Sequence, residues 1–216
     1  MAATGYGRYI LTTGEGIVSQ IELIWGRFWY ELLFQGKRPI ADVGAGRCWF
    51  TRQNSVDIIA IDNAPDIVEH YSQGGIQIRL GAADRIPFPA EYFEGLFCCW
   101  LLEHLAEPEC AMREFHRVLK PGALCCVVAP TPHDMTAFYA DYTHVRPYTK
   151  QSMKQLAAAS GFSRCEIEHL PWDRGMRWLH RRLGARASLF YLRTSNSYLR
   201  KMGMVNRNHL VMQAWK

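Results

Sequence analysis

The spacing of apolar side chains changes period several times along the chain, and each change marks an element. Ile17, Ile21, Ile24, Trp25, Phe28 and Leu32 recur at helical spacing, which predicts an amphipathic helix over residues 15–34. Gly36 and Pro39 stop it. Residues 1–14, rich in glycine, read as irregular. Short apolar runs of strand length follow at Pro39–Val43, Val56–Ile61, Ile76–Leu80, Leu96–Cys99 and Ala123–Ala129. The last is apolar throughout and is expected at the centre of a sheet. Helical patterns lie between the runs. One is a short crossover after Gly46 and one is Pro65–Tyr71. A third is opened by Pro108, with Ala111, Met112, Phe115, Val118 and Leu119 on one face and Lys120-Pro121-Gly122 at its end. Strands alternating with helices predict a parallel sheet. A further helix carries Met153, Leu156 and Ala157, Cys165–Leu170 alternates like an edge strand, and Asn208–Trp215 reads as the last strand.

The first strand runs into Gly44-Ala45-Gly46. Glycine lets a backbone pass close to a ligand because no Cβ intervenes. A strand that ends in such a turn is how open α/β sheets build a nucleotide pocket. The second strand ends in Asp62, twenty residues after Asp42, where a carboxylate can accept both hydroxyls of a ribose. Glycine turn, acidic strand end and βα alternation together indicate an adenosine-containing ligand. They do not match the dinucleotide fingerprint, which needs a third glycine and room for a pyrophosphate.

The order Asp42-x-Gly44-x-Gly46-x-Cys48 resembles motif I of the class I S-adenosylmethionine-dependent methyltransferases (type 11-like), with Cys48 in the place of a third glycine. Gly81-Ala-Ala-Asp-Arg-Ile-Pro-Phe-Pro89 resembles that family's "G-D-A-x-x-L-P-F-P" stretch. Phe93-Glu94 through Leu102-Glu103-His104-Leu105 resembles its "F-D … L-E-H-L", with Glu94 replacing the usual Asp, and Arg117-Val-Leu-Lys-Pro-Gly122 its most repeated phrase. The matches span about residues 39–130. The resemblance implies one α/β domain over residues 1–216, with a Rossmann-like, mostly parallel seven-stranded sheet, helices on both faces and an antiparallel last strand. It implies S-adenosylmethionine as cofactor, held by Asp42, Gly44, Ala45, Gly46, Asp62, Asn63, Ala83, Asp84 and Cys99, with Asp84 accepting from the adenine amino group.

Methyl transfer to a hydroxyl needs in-line alignment and removal of a proton. The run Pro130–Tyr148 follows the fifth strand and is dense in reactive side chains. His144 is the expected base, Asp141 its orienting carboxylate, and His104 a second catalytic candidate. Arg146, Tyr142 and His133 are expected on the acceptor side, Arg146 holding an anionic group. Asp141-x-Thr-His-x-Arg-Pro-Tyr-Thr149 resembles methyltransferases of bacterial glycan and cell-envelope modification. That implies O-methylation of a small molecule or glycan, phosphorylated or lipid-linked.

Composition refines the picture at three points. With 49% hydrophobic and 21% charged residues, the chain reads as globular, and no run approaches the ~18 apolar residues of a spanning helix. The N-terminus lacks a secretion-signal layout, so a cytoplasmic location is expected. The seven cysteines lack metal-type spacing, no metal is expected, and the adjacent pairs Cys98-Cys99 and Cys125-Cys126 read as buried thiols pointing to opposite faces. The net charge of +5 is uneven: residues 164–216 hold eleven Lys/Arg against three Asp/Glu, or +8, and residues 1–163 sum to −3. Much of that excess lies in 171–206, an insertion before the last strand that mixes arginines with aromatics. It suits a phosphate-rich surface and the apolar matter beside it, so peripheral membrane contact is expected ahead of stacking on RNA, with a packed helical insertion that has an ordinary solvated face as the alternative. A nucleic-acid methyltransferase and an inactive cofactor-binding partner protein are the alternatives.

Overall fold

The computed structural model describes residues 17–53, 56–171, 175–202 and 205–216. The irregular segment expected over 1–14 lies outside them. Helix α1 (Ile17–Trp29) continues as a π-turn through Phe34. Seven strands follow, β1 (Ile40–Val43), β2 (Ile58–Asp62), β3 (Ile78–Leu80), β4 (Phe93–Cys99), β5 (Leu119–Pro130), β6 (Arg164–Pro171) and β7 (Val205–Trp215). Among the described residues five helices are interleaved with them: α2 (Pro65–Gln73), α3 (Pro108–Val118), the single turn α4 (Met135–Phe138), α5 (Lys150–Ala159) and α6 (Met176–Lys201), which is two helical segments joined at a kink at Gly184, φ +77°.

The strand order is β3-β2-β1-β4-β5-β7-β6. β1 to β5 pair in parallel, and β7 runs antiparallel between β5 and β6. The expected Rossmann-like sheet is therefore present, with two differences. β4, not β5, lies in the middle of the order, because β1 and β5 pair on either side of it. The crossover after Gly46 is a series of turns closed by a 3₁₀ turn at Thr51–Gln53 rather than a helix. Too few residues separate Gly46 from β2 for a helix with an apolar face of its own.

The pleat sends alternate side chains to opposite layers. In β5, Ala123, Cys125, Val127 and Ala129 pack with α3 and α5, and Leu124, Cys126 and Val128 pack with α1 and α6. The cysteine pairs obey the same rule: Cys98 and Cys125 face one layer, Cys99 and Cys126 the other, and all seven thiols are free. The α1 layer is unusually aromatic. Phe50 stacks on Phe97 with ring centroids 4.3 Å apart, and Phe34 meets both edge-on.

Phe34 lies over Gly95, where an added Cβ would approach its ring to 2.7 Å. Gly95→Ala should therefore destabilise the fold by roughly 1–3 kcal/mol through overpacking. Phe34→Leu introduced into the same protein should recover part of the loss. Urea unfolding of the two variants checks this, and a Gly95→Ala protein as stable as wild type would contradict it.

Candidate functional site

The carboxyl ends of β1, β2 and β4 form one lip, and the turn after β1 is fastened there by the end of β2. Gly44 and Ala45 donate their amides to the Ile61 carbonyl at 2.9 and 3.3 Å. The Asp62 carboxylate does the rest: Oδ2 accepts from the Gly46 amide at 2.9 Å and Oδ1 from the Ala64 amide at 3.0 Å. Each oxygen retains acceptor capacity for a further donor.

Two glycines are required here for different reasons. Gly44 has φ +70°, and a Cβ on it would meet Leu101 Cδ2 at 2.8 Å, so the segment after β4 lies directly on the turn. Gly46 has φ +49°, and among the described residues its added Cβ would meet nothing within 4 Å. The space beside it is open. Cys48, in the third-glycine position, also has positive φ, +54°. Its fully buried side chain packs with Ala45, Ala60 and Ile67, which offsets part of the cost of a left-handed non-glycine residue.

Asp42 lies beneath the turn, 4% exposed, and accepts from Thr51 Oγ1 at 2.7 Å. Burial pushes its carboxyl from 3.8 up to about 7, against the opposing effect of the Thr51 bond. The other expected cofactor residues are distributed along the same lip. Ala45 is buried, Asn63 and Asp84 are exposed, and Ala83 and Cys99 are half-buried. Asp84 sits in a tight turn closed by the Ala82–Arg85 bridge.

The loops after β4 and β5 are joined by hydrogen bonds. The Val145 amide donates to the Glu103 carbonyl at 2.7 Å, and Tyr148 Oη donates to the Leu102 carbonyl at 3.0 Å. This brings His104 and His144 together, ring centroids 4.7 Å apart. Asp141 does not orient His144 through a direct hydrogen bond, since its Oδ2 is 3.9 Å from His144 Nε2. Instead Asp141 Oδ1 accepts from Thr143 Oγ1 at 2.6 Å, and Thr143 Oγ1 is 2.8 Å from His104 Nδ1. A hydroxyl has one proton, and Thr143 gives it to the carboxylate, so His104 Nδ1 must carry the hydrogen. His144 Nδ1 lies 2.7 Å from the Phe138 carbonyl, which can only accept. Both imidazoles are thereby fixed in the tautomer that leaves the lone pair on Nε2. Burial and the neighbouring His144 lower the pKa of His104, favouring the neutral ring.

The expected acceptor-side residues are more dispersed. Arg146 donates to the Ala106 carbonyl at 2.7 Å, Tyr142 is 95% exposed, and His133 is exposed beside Thr131. Two residues escaped the sequence reading. Glu103 is buried beside the histidine pair, and among the described residues its Oε2 lacks a hydrogen-bond partner. Trp100, the first residue after β4, has φ +54° and 38% exposure, a conformation rare for a bulky residue and frequent at functional sites. Both were visible as the start of the segment after β4, read for its histidine alone.

Residues 41–127 match the methyltransferase domain family. The match covers 87 of the chain's 216 residues. A rice 2-methyl-6-phytyl-1,4-hydroquinone methyltransferase (Oryza sativa subsp. japonica) is 26% identical over 160 residues, which are 68% of this chain and 48% of that protein. The chain thus spans about half the length of the curated relatives it matches. Among solved structures, a methyltransferase from Archaeoglobus fulgidus superposes with TM-score 0.67 at 19% identity, over 90% of this chain and 94% of that one. A Haemonchus contortus phosphoethanolamine N-methyltransferase, in complex with phosphomonomethylethanolamine and S-adenosylhomocysteine, gives 0.66 at 14% identity, over 100% of this chain and 60% of that one. These two likenesses concern the fold.

The match to methyltransferase domains implies S-adenosylmethionine as cofactor, and the residues present suit it. The turn leaves open space at Gly46, and Asp62 has acceptor capacity at the same lip. When bound, the cofactor supplies an electrophilic methyl group on a sulfonium. In the assignment proposed for this chain, Gly44, Ala45 and Gly46 give it a close backbone surface, Asp62 the ribose acceptor, and Ala83 and Asp84 the adenine contacts.

Asp62→Ala should remove the acceptor for two amides, cost about 1–3 kcal/mol of stability and weaken S-adenosylhomocysteine binding by about tenfold or more. Thermal unfolding and calorimetry read the two effects separately. Asp42 predicts a pH effect on the cofactor-free protein. Its folded pKa of about 7 exceeds the ordinary 3.8, so its contribution is fully present below pH 3.8 and is lost as pH rises through 7. Relative to wild type, Asp42→Asn should therefore gain stability from pH 4 to pH 8, by no more than about 4 kcal/mol. A pH-independent difference would contradict the burial argument.

Proposed function

We propose that the whole protein is a methyltransferase whose acceptor is a hydroxyl-bearing small molecule with an apolar tail, met at a membrane surface. The observation that carries the reading is the exposed side of the two segments of α6. Residues 176–201 hold seven Lys/Arg and no Asp/Glu. Trp178, Leu183 and Phe190 are each more than 60% exposed, among exposed Arg181, Arg182, Arg186 and Arg193. Aromatic and apolar tips set among arginines suit the headgroup layer of an anionic bilayer.

The inner face of α6 is ordinary core, with Ser188, Leu189 and Leu192 buried against α1. Arg193 pairs with Glu31, and His180 Nε2 with Gln20 Oε1 at 2.8 Å. Between the two helices lies a cleft of about 250 Å³ lined by Leu23, Ile24, Ala185, Leu189 and Gln53. Gln53 belongs to the 3₁₀ turn that follows the glycine turn. The rice relative is named for a phytyl hydroquinone, which has both the hydroxyl and the apolar tail. A lipid-linked glycan satisfies the same description. Among the described residues no helix is long and apolar enough to cross a membrane, and the proposed contact is peripheral.

Trp100, at the end of β4, is the proposed surface for the acceptor's ring or sugar face. The His104–His144 pair, with Asp141 behind it, is proposed to orient the hydroxyl and to receive its proton. His133, Tyr142 and Arg146 are proposed to meet the acceptor's outer part.

Full-length protein should sediment with vesicles containing anionic lipid and not with purely zwitterionic ones. Trp178→Ala/Phe190→Ala should weaken that binding by about tenfold or more. With labelled S-adenosylmethionine, label should enter the organic extract of membranes. Label entering RNA instead, or equal sedimentation of the double variant, would count against this reading.

A further inference from the structure

We propose that Glu103, His104 and His144 form a binding site for a divalent transition-metal ion that holds the acceptor hydroxyl beside the transferred methyl group. One ligand atom from each of the three side chains lies within 4.8 Å of the others. An ion about 2.1 Å from each donor holds its ligands roughly 3.4 Å apart, so the cluster needs to close by only about an ångström. Two imidazoles and one carboxylate are a donor set suited to Zn²⁺, Co²⁺ or Mn²⁺.

The partners around the three residues point the same way. A metal-binding histidine gives its other ring N–H to a carbonyl or carboxylate, which orients the ring. His144 Nδ1 is so placed on the Phe138 carbonyl, and His104 Nδ1 on Thr143 Oγ1, whose own proton goes to Asp141. With Nδ1 so engaged, coordination would use Nε2 of each ring. Glu103 supplies the independent observation. It is 1% exposed, and among the described residues its Oε2 has no hydrogen-bond partner. An unpartnered carboxylate oxygen in the interior costs stability. A cation between it and two imidazoles satisfies that oxygen. Asp141 Oδ2, 3.9 Å from His144 Nε2, adds a second negative charge at the rim.

Three protein ligands leave coordination positions open. The site lies on the segment whose Leu101 packs on Gly44, one short step from the proposed methyl donor. A hydroxyl on the ion loses its proton more readily, because the cation stabilises the oxyanion. That proton leaves to water, an oxygen pair forms the bond to the methyl carbon, the C–S bond breaks and its electrons remain on sulfur. This role rests on the proposed hydroxyl acceptor and moves proton removal from a histidine to the ion, whereas metal binding itself does not depend on it.

The test is titration of the full chain with Zn²⁺ and with Co²⁺, without acceptor or vesicles. Expected are one tightly bound equivalent and a visible Co²⁺ spectrum with nitrogen ligation. Glu103→Gln, His104→Ala and His144→Ala should each lose about tenfold or more in affinity. Cys110→Ser and His70→Ala, both at exposed positions, should retain it. Absence of stoichiometric uptake by folded wild-type protein, or uptake insensitive to the three substitutions, overturns the proposal. The Co²⁺ spectrum needs no variant, so a variant that fails to fold does not block the test. Vesicle sedimentation is read without metal, which keeps failure of this site distinct from failure of the membrane reading.

Discussion

The Asp62 carboxylate is the constraint on which the rest of the lip depends. One side chain at the end of β2 holds the Gly46 amide and the Ala64 amide together, so the turn after β1 and the start of α2 cannot move independently. Behind that turn buried Asp42 and Thr51 are joined by a hydrogen bond, and the segment after β4 rests on Gly44 through Leu101. A polar group at a strand end thus converts three separate loops into one surface. The aromatic layer under it, Phe34, Phe50 and Phe97, gives the strands a dense support that adjusts little.

The histidine pair depends on a second set of constraints, independent of the first. The loops after β4 and β5 are far apart in sequence, and the Val145–Glu103 and Tyr148–Leu102 hydrogen bonds bring them into register. Thr143 then connects Asp141 to His104, and the Phe138 carbonyl fixes His144. None of these links involves a long flexible side chain, so the two rings are positioned before any ligand arrives. Preorganised groups of this kind are what a group-transfer reaction requires.

Much of this was legible in the sequence, and the reason is local. The strand-turn pattern around Asp42, Gly44, Gly46 and Asp62 is encoded by neighbours in the chain, as are the period changes that mark helices and strands. Long-range geometry was harder to read. The central place of β4 follows from which strands pair, and no apolar run reports its partners. The crossover after Gly46 was misjudged as a helix because turn-rich segments of that length carry little periodic signal. Asp141 and His144 are three residues apart, which suggested a direct pair, whereas Thr143 takes up one carboxylate oxygen. Glu103 was overlooked because a single charged residue in a strand-end loop looks solvated until burial is known.

In the proposed site, separate segments of this chain meet on one molecule of cofactor. Hydrogen–deuterium exchange with and without S-adenosylhomocysteine tests it most directly. The account predicts slowed exchange in four segments at once, 43–48 after β1, 62–65 after β2, 82–86 after β3 and 99–104 after β4, with 176–201 unchanged. Unaltered exchange throughout these four segments in folded protein at saturating ligand, or protection confined to α6, would contradict it.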